Sequence, residues 1–166
     1  MIIIKFAQNN LGYIGLDNGI PWKCSQDLKD FKKATEGNVV IMGRKTWLSL
    51  GRKPLPNRAN FVVSLDDEYV GKMNEKNKHD NVFFFNSLDK ALDISNKFYQ
   101  SNPTYKSKDQ YIIGGAMLIE SAIRELKGKI DKMEISVIDN EIVGDTMVNQ
   151  ELLETYNIPI VRTIYK

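Results

Sequence analysis

Short apolar runs and longer amphipathic segments alternate along this chain. IIIKFA (2–7), NVVIM (38–42), NFVVS (60–64), VFFF (82–85), QYII (110–113) and KMEISVI (132–138) are rich in β-branched and aromatic residues. They are too short for buried helices and predict strands. Between them, apolar positions recur at helical spacing. Residues 25–36, RKTWLSL (44–50) and AMLIESAIREL (116–126) predict helices, as does 87–99 with Leu88, Ala91, Leu92, Ser95 and Tyr99 in phase. NIPIVRTIYK (157–166) predicts a final strand, with Pro159 placing it at a sheet edge or at the strand's start. NNLGYIGLDNG (9–19) and the polar tracts 66–81 and 100–109 predict loops. Strands alternating with helices imply crossover connections and a largely parallel sheet. The expectation is an α/β protein, one domain over residues 1–166, without internal repeats or low-complexity segments.

One helix breaks its own pattern. In IPWKCSQDLKDFKKAT (20–35), Asp27 falls with Leu28, Phe31 and Thr35 inside an arc of about 100°, while Lys29, Asp30, Lys33 and Glu36 fall outside it. A carboxylate on an apolar face is costly unless something pairs with it. One reading makes Asp27 a first-turn acid favoured by the helix dipole, with Ser25 as N-cap. The other makes it a group waiting for a ligand. This segment alone leaves both open.

Composition narrows the chemistry. The hydrophobic share is 42% and the charged share 27%, as in ordinary globular domains. A formal net charge of +2 is too small to argue for nucleic acid or a membrane surface as the main partner. No apolar run approaches the ~20 residues that span a bilayer, and MIIIKFAQNN lacks the pattern of a signal peptide. The single cysteine, Cys24, forms no internal disulfide and fits a reducing, cytoplasmic setting. With the lone histidine, His79, in a polar tract, no metal site is expected.

Two strand-to-helix turns suit an anion. After NVVIM come Gly43, Arg44, Lys45 and Thr46; after QYII come Gly114, Gly115, Ala116 and Met117. A helix N-terminus offers unpaired N–H groups to phosphate. Cations normally avoid that end, so Arg44 and Lys45 there make sense with an anion nearby. Neither turn carries a dinucleotide fingerprint or a P-loop. Together with Asp27 they suggest a ligand carrying several phosphates beside a polar heterocycle.

These residues resemble the dihydrofolate reductase family. The resemblance is carried by Ala7, Ile14-Gly15, Pro21-Trp22, Asp27-Leu28, Phe31, Val40 to Trp47, Gly51-Arg52, Leu55 to Arg58, Ile112 to Gly115 and Gly144-Asp145-Thr146, in family order and spacing. It implies a mixed, mostly parallel sheet of about seven strands, flanked by four helices and with its C-terminal hairpin shortened. It also implies NADPH-dependent reduction of 7,8-dihydrofolate to tetrahydrofolate, serving one-carbon metabolism and thymidylate synthesis, and sensitivity to antifolates.

The implied roles follow residue by residue. Asp27, with Trp22 and Ser136, would form the catalytic group, Ser136 taking the place of a threonine that braces the carboxylate. Leu28, Phe31, Leu50, Leu55 and Ile113 would wall the pterin cleft, and Lys5 and Ala7 would line it from the first strand. Arg58, with Arg52 near, would hold the substrate's glutamate tail. For the cofactor, Gly43, Arg44, Lys45 and Thr46 would meet phosphates from one turn, and Gly114, Gly115, Ala116 and Met117 from the other. Ser64 with Arg44 would lie by the adenosine 2′-phosphate. Ala7, Ile14, Gly15, Asn18, Gly19, Ile20, Ile113 and Ile119 would surround the nicotinamide. The loop 9–24 would close over it, and the Gly114–Gly115 peptide would be cis.

Three features depart from the family pattern. Lys5 replaces an apolar residue, Ile119 replaces a tyrosine, and after Gly144-Asp145-Thr146 only 157–166 is long and apolar enough for a strand. That leaves an open sheet edge, through which a homodimer is an alternative to a monomer. Two rival functions are a pyrimidine reductase of the riboflavin pathway and a fold-preserving protein with little turnover. Asp27, Phe31 and Arg58 favour folate, because the pyrimidine substrate has no glutamate tail.

Overall fold

The computed structural model describes residues 1–15, 22–105 and 109–166. The apolar runs become strands of one sheet with helices on both faces, and all but the last, which is mostly exposed, bury residues in the core. They are β1 (Ile2–Asn9), β3 (Val39–Gly43), β4 (Ala59–Val63), β5 (Val82–Phe85), β6 (Gln110–Gly114), β7 (Lys132–Ile138) and β9 (Ile160–Tyr165). They form one seven-stranded sheet in the order β5-β4-β3-β6-β1-β7-β9. Every pairing in it is parallel.

The expected helices are α1 (Ser25–Thr35), α2 (Arg44–Ser49), α4 (Leu88–Ser101) and α5 (Ala116–Leu126). Two more occur: α3 (Asp67–Lys76), in a tract expected to be a loop, and α6 (Gln150–Thr155), in a stretch for which no element was expected. Each has a side-chain cap at its start, Asp66 accepting from the Tyr69 N–H and Asn149 from the Glu151 and Leu152 N–H groups. β2 (Tyr13–Gly15) and β8 (Thr146–Met147) pair antiparallel as a separate small sheet. Gly144 is required there by close approach: a Cβ on it would lie 2.2 Å from the Gly15 carbonyl oxygen.

A buried cluster lies on each face of the large sheet. On one, Ile4, Phe6, Ile41, Phe61 and Ile112 pack with Leu92 of α4, Ile119 and Ile123 of α5, and Leu153 of α6. On the other, Ile3, Val40, Met42, Val62 and Phe84 pack with Trp47 of α2 and with Tyr69, Val70 and Met73 of α3. Helix α1 lies on this second side and contributes no residue to either cluster.

The last strand completes the sheet in a way the sequence pattern does not announce. β9 pairs directly with β7, from Met133↔Ile160 to Ile138↔Tyr165, and among the described residues no strand pairs with its other edge. Pro159 sits just before the strand, where the Met133 N–H bonds its carbonyl.

Candidate active site

Parallel strands place their C-terminal ends at one edge of the sheet, where helix N-termini and loops can surround a ligand. β3 and β6 are neighbours there, with Met42 opposite Gly114, so the two glycine turns come together. A Cβ on Gly114 or Gly115 would stand 3.6 or 3.5 Å from Thr46 Oγ1. Gly114 has φ +135°, a backbone state that favours glycine, and the Gly114–Gly115 peptide is cis. Helices α2 and α5 start from Gly43 and Gly115 with neither a side-chain cap nor an acid in the first turn. The other helices all have one or the other. Two uncapped positive ends therefore converge, with Arg44 and Lys45 exposed beside them.

Arg44 is already engaged. Its Nη1 lies 3.7 Å from Asp66 Oδ2, and its guanidinium sits 3.7 Å above the centre of the Tyr69 ring. Ser64 Oγ accepts from the Asp66 N–H at 3.3 Å. Ala116 is partly buried and Met117 is 79% exposed.

Asp27 is on the first turn of α1 and only 9% exposed. The N-cap of α1 is Cys24 rather than Ser25, and it makes no side-chain cap bond. Among the described residues the Asp27 carboxylate has no hydrogen-bond or ion-pair partner. It is the acid of the first turn of α1, which has no side-chain cap, and no cation among the described residues pairs with it. Ser136 is buried on the sheet face below, opposite Ala7 of β1, yet it makes no hydrogen bond to Asp27.

The Lys5 side chain finds its partner within the sheet. The β1–β7 register sets Glu134 directly across from it, and Lys5 Nζ lies 3.4 Å from Glu134 Oε1. Lys132 approaches the same carboxylate at 3.2 Å. The Lys5 side chain thus engages β7 rather than a ligand or Asp27. Ile119 lies in the core. It is fully buried against the sheet, with Ala122 and Ile123, and presents no surface to a cofactor.

The remaining expected wall residues border the same region. Phe31, Leu50, Leu55 and Ile113 are partly buried, whereas Leu28 is 58% exposed. Ala7, Ile14, Gly15 and Trp22 are also partly buried. Arg52 is exposed with φ +58°. Asn18, Gly19 and Ile20 lie outside the described residues. Arg58 is buried, donating from Nη1 to Thr35 Oγ1 (3.1 Å) and from Nε to the Pro56 carbonyl (3.0 Å). Burial pushes its guanidinium pKa down, and Glu36 nearby pulls it back up.

Two further residues shape the region and had no signal in the sequence. Asn9 is fully buried, and its amide donates to Asn140 Oδ1 and the Ile142 carbonyl while accepting from the Leu11 and Tyr13 N–H groups. It ties both flanking loops with one side chain. Tyr165, at the end of β9, donates from its hydroxyl to Asp30 Oδ2 of α1 at 2.7 Å.

A family model described as dihydrofolate reductase matches residues 1–161. Dihydrofolate reductase of Bacillus subtilis is 37% identical over 147 residues, covering 87% of this chain and 73% of that protein. The type 3 enzyme of Salmonella typhimurium is 36% identical over 145 residues, covering 87% and 75%. The bifunctional dihydrofolate reductase-thymidylate synthase of Paramecium tetraurelia is 34% identical over 147 residues, covering 89% of this chain but 28% of that protein. Among solved structures, Enterococcus faecalis dihydrofolate reductase complexed with NADP(H) and RAB-propyl aligns with a TM-score of 0.67 and 26% identity, over 90% of this chain and 77% of that one.

Proposed function

The chain belongs to the dihydrofolate reductase family, and we infer from this and from its cleft that it reduces 7,8-dihydrofolate to 5,6,7,8-tetrahydrofolate with NADPH. It is an oxidoreductase of folate and one-carbon metabolism, and its cleft is a target for antifolates. The observation that carries the reading is the buried Asp27 carboxylate with no partner among the described residues. A pterin supplies what it lacks: an amino group and an adjacent ring nitrogen that reach one carboxylate in a two-point geometry.

The chain's residues fit the dinucleotide. The two uncapped glycine turns, drawn within a few ångströms of each other, would hold its phosphates, with Arg44, Lys45 and Thr46 adding charge and a hydroxyl. Ser64 and Arg44 would flank the 2′-phosphate, which would displace Arg44 from its exposed pair with Asp66. When bound, NADPH supplies the hydride that C6 of the pterin accepts. Asp27 orients the ring and favours protonation at N5, the proton arriving by way of water. Phe31, Leu50, Leu55 and Ile113 keep the ring in apolar surroundings. The Arg58 guanidinium, held by Thr35 and Pro56, receives the carboxylate of the glutamate tail. That group also favours a folate over a pyrimidine without a tail. Among the described residues no helix is long and apolar enough to cross a membrane, and the lone cysteine fits a cytoplasmic enzyme.

The test mixes protein, NADPH and dihydrofolate and follows loss of reduced nicotinamide. The wild type should turn over, and Asp27→Asn should lose about a hundredfold or more in rate while still binding NADPH. Turnover unchanged in Asp27→Asn would overturn the assignment of that acid.

A further inference from the structure

We propose that Tyr165 is a positioning residue for Asp27: by hydrogen-bonding Asp30, the C-terminal strand fixes where the first half of α1 sits over the sheet. The proposal deepens the function above, since it rests on Asp27 being the group that receives the substrate ring.

Helix α1 is otherwise weakly held. Most helices in a sheet protein are fixed by an apolar face packed on the strands. Helix α1 has only two buried residues, Asp27 and Thr35, both polar. None of its side chains enters a core cluster. The sheet surface on its side is polar as well, carrying Lys5, Lys132, Glu134 and Ser136 on β1 and β7. Its position therefore depends on a few directional contacts. At the C-terminal end, Arg58 holds Thr35. In residues 25–31, among the described residues, the one side-chain hydrogen bond to another element is Tyr165 Oη–H to Asp30 Oδ2, at 2.7 Å.

Asp30 is three residues beyond Asp27, less than one turn along the same rigid helix, so fixing one fixes the other. The bond is charge-assisted, with a neutral phenol donating to a carboxylate. Gln26 Nε2 donates to the other oxygen, Oδ1, at 2.8 Å and holds the Asp30 side chain in its rotamer. Tyr165 can reach because β9 lies beside β7 in parallel register, with Ile138 opposite Tyr165, and because the Asp139 N–H bonds the Tyr165 carbonyl. The donor is thus held at both its main chain and its hydroxyl.

Removing the phenol oxygen should let α1 pivot about its Arg58 end. Tyr165→Phe is expected to raise the KM for dihydrofolate roughly tenfold, leaving the KM for NADPH and the thermal midpoint near wild type. Asp30→Asn keeps an acceptor oxygen and should largely preserve the substrate KM. Asp30→Ala should reproduce Tyr165→Phe, and the double variant should be no worse than either single one. An unchanged dihydrofolate KM in Tyr165→Phe, or an equal rise in both KM values, overturns the proposal. Amide hydrogen exchange supplies an arm that needs no turnover. Tyr165→Phe should speed exchange in residues 25–31 and leave 116–126 unaffected, and equal exchange in both proteins also overturns it. Should the wild type fail to oxidise NADPH with dihydrofolate, the functional assignment alone fails, and the exchange arm still decides the tether.

Discussion

Single side chains decide which chemistry this cleft can perform. Arg58 is the plainest case, because its buried guanidinium already spends Nε and one Nη1 proton on Pro56 and Thr35. That leaves Nη2 without a hydrogen-bond partner among the described residues, in a fixed orientation that suits a planar carboxylate. Lysine keeps the charge but loses the fork. Arg58→Lys should therefore raise the KM for dihydrofolate roughly tenfold with kcat little changed, as steady-state kinetics would read. At this scale the sequence was informative where chemistry conflicts with pattern. Asp27 was visible because an acid interrupts an apolar arc. Lys5 was visible as an anomaly, but its partner was not, since Glu134 is 129 residues away and only strand register brings it opposite. The burial of Ile119 in the core was not legible, because one helix position cannot tell a core-facing apolar residue from one that lines a ligand.

Among the elements, those with a strong period were legible and those fixed by long-range contact were not. VFFF and KMEISVI match β5 and β7, and AMLIESAIREL matches α5. Helix α3 was missed because its apolar content is thin. Its start signal was nonetheless present, in Asp66 ahead of two acids, with Lys76 in the last turn. The pairing of β2 with β8 had no local signal at all, being set by the approach of residues 142–147 to the Gly15 backbone. Gly144 makes that approach possible. Gly144→Ala should push the two strands apart, since the new Cβ meets backbone at 2.2 Å rather than a flexible side chain. A loss of about 1–3 kcal/mol in a urea titration is expected, along with weaker cofactor binding where Ile14 and Gly15 border the cleft.

Across the whole molecule, titration of buried phenols sets an upper limit on the pH range of stability. Tyr99 and Tyr111 are both pushed up to about 12 from an ordinary 10.0, mainly by burial. The Tyr99 hydroxyl also accepts from the Val39 N–H and donates to the Asp109 carbonyl, joining α4 to β3. A raised folded pKa means that the folded state binds the proton more tightly than the unfolded chain. Both tyrosines contribute fully below pH 10, and that contribution is lost as pH rises toward 12. Urea midpoints measured across alkaline pH should stay level to about pH 10 and then fall, and Tyr111→Phe should flatten part of the decline.

The strand order also governs when the molecule can assemble. β1 is made first, yet both of its neighbours, β6 and β7, begin after residue 109. A nascent chain emerging from the ribosome therefore holds this interior strand unpaired until residues 110–138 have followed it. For that interval IIIKFA is a sticky apolar ribbon, which makes this N-terminal segment the natural place for a chaperone to bind.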